Sequence, residues 1–288
     1  MQSRQLKLIH LVVLLCLAVF AYSTNSIASQ KDGLLRIYFF DVGQGDGLLI
    51  ISPSGQQILI DGGPGNKILS KLGEVMPFYD KDIDLIVATH PHADHIVGLI
   101  DVLNRYEVKN IMEAKETYNS SEFKGWQDAV NNEHANNIEA IAGKVIDLND
   151  GVTLTVLHPF NSVVGDNPKN PHDDGVVIIL KYDELEVMLT GDMEAKVERR
   201  LILAGEDLDS DVLKVGHHGS KTSSSEEFLS AVSPEVAIIQ VGAKNRYGHP
   251  SPEVLSRLED FGIEYYRNDI NGDILLKSDG KQFLVSKY

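Results

Sequence analysis

From Leu34 onward, short runs rich in Leu, Ile and Val alternate with amphipathic helical patterns, and the runs end in Gly, Asp or His. "LLRIYFFDVG", "GLLIIS" and "QQILIDGG" come first, separated by Gly-rich turns, as in a meander entering a sheet. Helical patterns near residues 66–79 and 93–105 flank the strand-like "IDLIVATH". Beyond them come "VTLTVLHP", "GVVIILKY" and "LEVMLTGD", the helical "MEAKVERRLILAG", then "DVLKVGHH", helical "SSEEFLSAV", "EVAIIQVG" and helical "PEVLSRLEDFG". Three further strand-like pieces, "IEYYRND", "GDILLKSDG" and "KQFLVSKY", close the chain. Such alternation can bury its apolar runs only in sheets with helices outside, so the fold class is α/β. Segment 113–150 is a polar exception, with "NNEHANN" read as a loop or surface helix. No repeat or low-complexity linker divides the rest, which is read as one domain spanning residues 29–288.

The first 28 residues differ in kind. Arg4 and Lys7 precede an apolar run from Leu8 to Tyr22, and small and polar residues ending "SIAS" follow. That is the pattern of a secretory signal cut after Ala28. The alternative is an uncleaved membrane anchor, although the run is shorter than the roughly 20 apolar residues a span prefers. Cys16 follows Leu15, where a lipid-modified cysteine would need a small residue. The expected location is therefore outside the cytoplasm, periplasmic or extracellular, or membrane-anchored if the leader is uncut. Cys16 is also the only cysteine, so residues 29–288 can form no disulfide and offer a metal no thiolate. Losing Arg4 and Lys7 leaves 24 of the 26 basic residues against 42 acidic ones, a net charge of −18. An acidic surface of that size argues against a broad groove gripping duplex DNA.

Metal-capable side chains gather at the C-terminal ends of the strand patterns: Asp61, then His90, His92, Asp94 and His95 in "THPHADH", then Asp192, then His217 and His218. In α/β architectures those ends form the functional edge. One such histidine would be a packing residue, but four clusters on the same side of their strands form a site. Within "HPHADH", alternate residues leaving a strand can face one cation while the pair opening a helix faces a second. Nitrogen and oxygen donors without sulfur suit zinc, with manganese or iron as alternatives.

"THPHADH" resembles the HxHxDH signature of the metallo-β-lactamase superfamily. "FFDVGQGDGLLI", "ILIDGG", "LTGD", "LKVGHHGS", "RYGHPSPEVL" and "YRNDINGDILL" resemble, more narrowly, the metallo-hydrolase domain of ComEC/Rec2-type DNA-uptake proteins. The resemblance implies a four-layer αβ/βα sandwich with two metals between the sheets. It implies His90 and His92 on the first metal, Asp94 and His95 on the second, and Asp192 bridging both. It also implies one of His217 and His218 on the second metal, and Asp61 orienting the ligand loop. "PHDDGVVII" nominates His172 as the third ligand of the first metal, with His158 as its rival. Asp94 or Asp192 could receive a proton, and His249 in "RYGHP" could protonate a leaving oxygen or bind phosphate. Ser220 and Lys221 could hold a phosphate at a helix start. Trp126 and Phe123 could stack on a base or sugar, or pack their loop onto the core.

The implied activity is an exported phosphodiesterase or nuclease acting on DNA, its nucleophile a hydroxide shared by two divalent metals. No Lys/Arg cluster with interleaved aromatics stands out for a processive nuclease. Small phosphodiesters such as phosphorylcholine esters are the alternative substrate, with lactones and β-lactams behind them. No stable membrane span is expected after leader cleavage, and no protein partner. A non-catalytic binding module would have lost ligands, and every main motif here is filled.

Overall fold

Side chains alternate faces along a strand, and here both faces of each main strand are apolar. Ile37, Phe39 and Val87 point one way while Tyr38, Phe40 and Ile86 point the other. A sheet of such strands must be covered on both sides. The computed structural model describes residues 32–288 together with His10, Val13 and Leu14, so the expected leader lies almost wholly outside the described residues.

Eight strands form one sheet. Phe283–Lys287, Ile274–Ser278, Leu35–Phe39, Leu48–Ile51 and Gln57–Ile60 pair antiparallel in that order, and Leu85–Ala88, Asn110–Glu113 and Asn136–Glu139 continue it in parallel. Asp82–Ile83 pairs with Glu107–Val108 in a small third sheet, and seven strands form the second large one. Glu264–Arg267, Val236–Ile239, Val212–Lys214 and Leu185–Leu189 are parallel, and Val177–Tyr182, Val152–His158 and Val145–Asp147 complete it antiparallel. Between the sheets lies a core that includes Ile37, Phe39, Val87, Leu154, Ile178, Val187 and Ile238. Helices Lys67–Val75, Ala93–Leu103 and Ser121–Glu133 cover the outer face of the first sheet through Leu72, Ile96, Leu99 and Trp126. Helices Ala195–Ala204, Glu226–Val232 and Pro252–Asp260 cover the second through Leu201, Phe228, Val254 and Leu258. The result is the four-layer αβ/βα sandwich. Among the described residues no helix is long and apolar enough to cross a membrane.

The polar segment 113–150 is more regular than its composition suggests. It holds the helix Ser121–Glu133, capped where Ser120 accepts the Phe123 N–H at 3.0 Å, and two short strands. Its Trp126 and Phe123 are buried, the Trp126 indole donating to Glu113 at 2.8 Å, so both pack the helix onto the sheet. The last two strands pair with each other, and Ile274–Ser278 pairs not with its sequence neighbour Glu264–Arg267 but with Leu35–Phe39, across most of the chain's length.

Candidate metal centre

The strand Leu85–Ala88 hands the chain to Thr89 and His90, and the helix Ala93–Leu103 starts just beyond. Asp61, at the end of the neighbouring strand, holds this turn. Its Oδ1 accepts the Thr89 N–H at 2.9 Å, and its Oδ2 accepts the Thr89 hydroxyl and the His95 Nδ1–H, both at 2.7 Å. With the Thr89 proton spent on Asp61, the hydroxyl oxygen is left to accept His90 Nδ1–H at 3.1 Å. Both rings therefore turn Nε2 lone pairs toward the cleft, the tautomer a metal requires. Helix and turn meet with no room between them. A Cβ on Gly98 would lie 1.8 Å from the Gly62 carbonyl oxygen, and the backbone bonds Gly62 N–H to His95 O at 2.7 Å and Gly98 N–H to Gly63 O at 2.9 Å seal the contact.

Two donor sets converge on this floor. His90 Nε2 and His172 Nε2 each stand 3.0 Å from His92 Nδ1, an approach of ring nitrogens that is repulsive unless a proton or cation sits among them. Beside them, Asp94, His95 and His218 bring their ligand atoms together within 4.8 Å. Asp192 lies between the sets. Its Oδ2 is 3.3 Å from His95 Nε2, 3.4 Å from His218 Nε2 and 3.9 Å from both His90 Nε2 and His172 Nε2. The buried atoms His95 Nε2, His218 Nε2 and Asp192 Oδ1 have no hydrogen-bond partner. Unpartnered buried lone pairs of nitrogen and oxygen, convergent from separate elements, are what a divalent cation satisfies, so the residues fit metal ions.

The "HHG" turn separates its two histidines. Both have positive φ, 47° at His217 and 53° at His218, a costly conformation for residues with a Cβ that sends the rings in different directions. His218 donates Nδ1–H to the Gln240 carbonyl at 2.9 Å and turns Nε2 to within 3.4 Å of Asp94, so it belongs with the second set. His217 is more exposed, its Nδ1 3.3 Å from Glu194 and its Nε2 3.9 Å from Asp192, at the edge of the first set beside His172.

Charge divides the cluster. Burial and the neighbouring rings push His90 and His92 below the ordinary histidine value and His172 down to about 4, which favours the neutral form whose lone pair a metal binds. Burial also opposes charge on His218, but Asp192 and Asp46 outweigh it and raise the ring to about 10; His95 moves the same way beside Asp192 and Asp61. The carboxylates that favour positive charge on these rings would equally favour a cation held by their lone pairs.

The structure reveals supports that sequence reading passed over. Asp46, in "GQGD", is buried with its Oδ1 3.2 Å from His218 Nδ1 and its Oδ2 2.6 Å from Lys214 Nζ. Lys214 is itself buried and donates to the carbonyls of Gly191 and Val215 at 3.0 and 3.2 Å. A lysine in the middle of the apolar "DVLKVG" was the available signal, since lysines are almost never fully buried unless paired. Glu194, two residues past Asp192, accepts from Thr222 at 2.7 Å and Asn170 at 3.0 Å and faces His172 and His217.

Above the cluster opens a cleft of about 430 Å³, walled in part by Gln44, Tyr118, Glu122, Tyr247 and His249. His249 stands there, its ring 5.7 Å from that of His217 and its Nδ1 unpartnered. His158 is elsewhere: it donates Nδ1–H to the Gly175 carbonyl at 2.9 Å and packs on Phe160, outside both donor sets. Ser220 and Lys221 do not reach the cleft wall either. The Ser220 hydroxyl pairs with Thr222 at 2.9 Å inside its own turn, and the helix that follows is capped by Ser225.

Residues 40–243 match the family model described as the metallo-beta-lactamase superfamily. The chain is 31% identical over 270 residues to ComE operon protein 3 of Bacillus subtilis, an alignment covering 88% of this chain and 34% of that protein. It is 30% identical over 269 residues to recombination protein 2 of Haemophilus influenzae, covering 91% of this chain and 31% of the relative. The chain thus spans about a third of the length of these curated relatives. Among solved structures, the metallo-beta-lactamase fold protein YhfI from Bacillus subtilis superposes with a TM-score of 0.56 at 13% identity, over 85% of this chain and 99% of YhfI.

Proposed function

As the chain belongs to the metallo-beta-lactamase superfamily, we propose that this member is a hydrolase of phosphodiester bonds acting on DNA. The observation that carries the reading is the pair of donor sets sharing Asp192 on the floor of an open cleft. Its relatives in competence and recombination, and the motifs it shares with DNA-uptake proteins, support DNA as the substrate class. The apolar leader supports export, to the periplasm or beyond the cell, with a tether where the leader stays uncut.

His90, His92 and His172 would hold one cation and Asp94, His95 and His218 the other, with Asp192 serving both; zinc suits this donor set and manganese is the alternative. Bound there, divalent cations supply a water acidified to near neutrality and polarise the bond under attack. The protein's own work is positional. Asp61 keeps His90 and His95 in the required tautomer, and Asp46 with Lys214 backs His218. The acidic groups facing the cleft, Asp94 and Asp192, offer oxygens to hold a proton leaving the attacking water. His249 stands at the wall with its buried Nδ1 unpartnered, and its ring could bond a phosphate oxygen or carry a proton to the departing one.

The size of the cleft favours one other reading. At about 430 Å³ it also suits a small phosphodiester, for which an acidic surface is no obstacle. Purified protein loaded with zinc or manganese, offered single-stranded DNA, duplex DNA and a chromogenic phosphodiester, separates the two. DNA cleavage abolished by Asp192→Asn supports the nuclease reading. Turnover of the small ester alone replaces it with the small-substrate one, and silence on all three despite bound metal refutes both.

A further inference from the structure

An acidic chain that acts on a polyanion needs a place where its charge is reversed, and one loop beside the cleft supplies it. Between the strand Val236–Ile239 and the helix Pro252–Asp260 the chain runs "VGAKNRYGHP". Lys244, Arg246 and Tyr247 are exposed on it, Tyr247 to 63%. Neither cation has an ion-pair partner among the described residues.

The loop is held in place. Asn245 accepts the backbone N–H of Tyr247 at 3.2 Å and of His249 at 3.0 Å, and donates to the carbonyls of Gly242 at 2.9 Å and His249 at 2.8 Å. Gly242 lies so close to the turn carrying "GQGD" that a Cβ on it would fall 2.6 Å from Gln44 N. Its N–H donates to Gln44 Oε1 at 3.2 Å, which leaves the buried Gln44 Nε2 with no partner in a residue that walls the cleft. Tyr247 stacks on His249 with ring centroids 5.8 Å apart and planes 18° from parallel, and His249 leads at 5.7 Å to His217 beside the metal cluster. Tyr247, His249 and Gln44 therefore wall the cleft, and two exposed cations, Lys244 and Arg246, flank Tyr247 on the same loop.

We infer that this loop and Gln44 form a subsite for a single strand of nucleic acid. One base stacks on Tyr247, Lys244 and Arg246 take neighbouring phosphates, and the Gln44 amide donates to a phosphate oxygen closer to the cluster. Cations tracking the backbone combined with an aromatic platform are the chemistry that grips single strands without reading sequence. Duplex would bring its paired bases to Tyr247 edge-on and gain no stacking. The inference rests on the phosphodiesterase reading, and binding is measured apart from cleavage so that the two fail separately.

The probe is a fluorescent phosphorothioate-linked thymidine strand of about 12 nucleotides, titrated by anisotropy against the full metal-loaded chain over a range of salt. Tyr247→Ala is expected to weaken binding roughly 5- to 150-fold while Tyr247→Phe retains it. Arg246→Ala and Lys244→Ala should each flatten the salt dependence by about 0.7 in log–log slope. Thermal unfolding of each variant monitors folding. Unchanged affinity in Tyr247→Ala, a Tyr247→Phe as weak as the alanine variant, a salt slope insensitive to both cations, or a wild-type chain that ignores the strand would each overturn the subsite. Tyr247-dependent binding by a wild-type chain that cleaves no phosphodiester would leave the subsite standing and remove the nuclease reading instead.

Discussion

Removing the Lys214 ammonium while leaving Asp46 in place tests how the second donor set is supported. The ion pair is 2.6 Å long with both side chains about 2% exposed or less, and at an effective dielectric near 20 its gross attraction is roughly 6 kcal/mol. Most of that is offset by desolvation of the two charges, so the pair's net contribution is small. The penalty appears when one partner goes. Lys214→Met strands a buried carboxylate and two carbonyls, Gly191 O and Val215 O, that Lys214 now satisfies. The expected loss is about 3–5 kcal/mol, which for a domain of this size lowers Tm by roughly 6–20 °C. Asp46→Asn combined with Lys214→Met removes the stranded charge and should recover about half of that loss. Urea unfolding of the wild type, both single variants and the double variant closes the cycle, in chelator and with added zinc. Additive single effects, or a Lys214→Met loss under about 1 kcal/mol, would refute the idea that Asp46 depends on Lys214 to be tolerated beside His218.

Burial, with help from Glu113 and Asp174, raises the Glu116 carboxyl to about 8. Between its ordinary value near 4.5 and about 8 the unfolded chain has shed this proton and the folded one keeps it. Stability therefore falls with rising pH through that window, by up to about 1.4 kcal/mol per unit. Glu116→Gln should remove this dependence, matching the wild type near pH 4 to 5 and exceeding it above about pH 8 in urea titrations; parallel curves would show the carboxyl is not held neutral. His218→Ala should cost one equivalent of bound zinc by elemental analysis, and His217→Ala should leave the stoichiometry intact, the reverse order disproving the assignment of His218 to the second set. Zinc at about a hundred times its Kd should stabilise the fold by about 2.7 kcal/mol relative to chelator, and equal melting temperatures in the two conditions would mean the donor sets hold no ion in the native state.

Legibility in the sequence followed distance along the chain. The strands and helices around the site were readable because alternating and 3.6-residue apolar patterns are local. The helix expected at 93–105 is Ala93–Leu103, and the run "DVLKVGHH" holds the strand Val212–Lys214. His90, His92, Asp94, His95 and Asp192 stood out because one short loop and one strand end carry them. His172 was reached only through a family pattern, since its short turn Pro171–Asp173 has no periodicity of its own. Which of His217 and His218 joins the second set could not be read at all, because the choice lies in two positive φ angles within the turn.

What the sequence alone determined is the α/β class, the placement of the donors at strand ends, the chemistry of those donors and the acidic balance of the surface, all consequences of residue identity and short-range spacing. What only the tertiary structure decided is everything that depends on a long-range pairing. The closing strands join the sheet of Leu35–Phe39, Asp46 finds Lys214 across the interface between the sheets, and Gly242 docks on Gln44, which brings Tyr247 and His249 to the cleft wall. Each of these contacts joins segments far apart in the chain, where closure entropy must be met by packing summed over both sheets, and no local pattern encodes that sum.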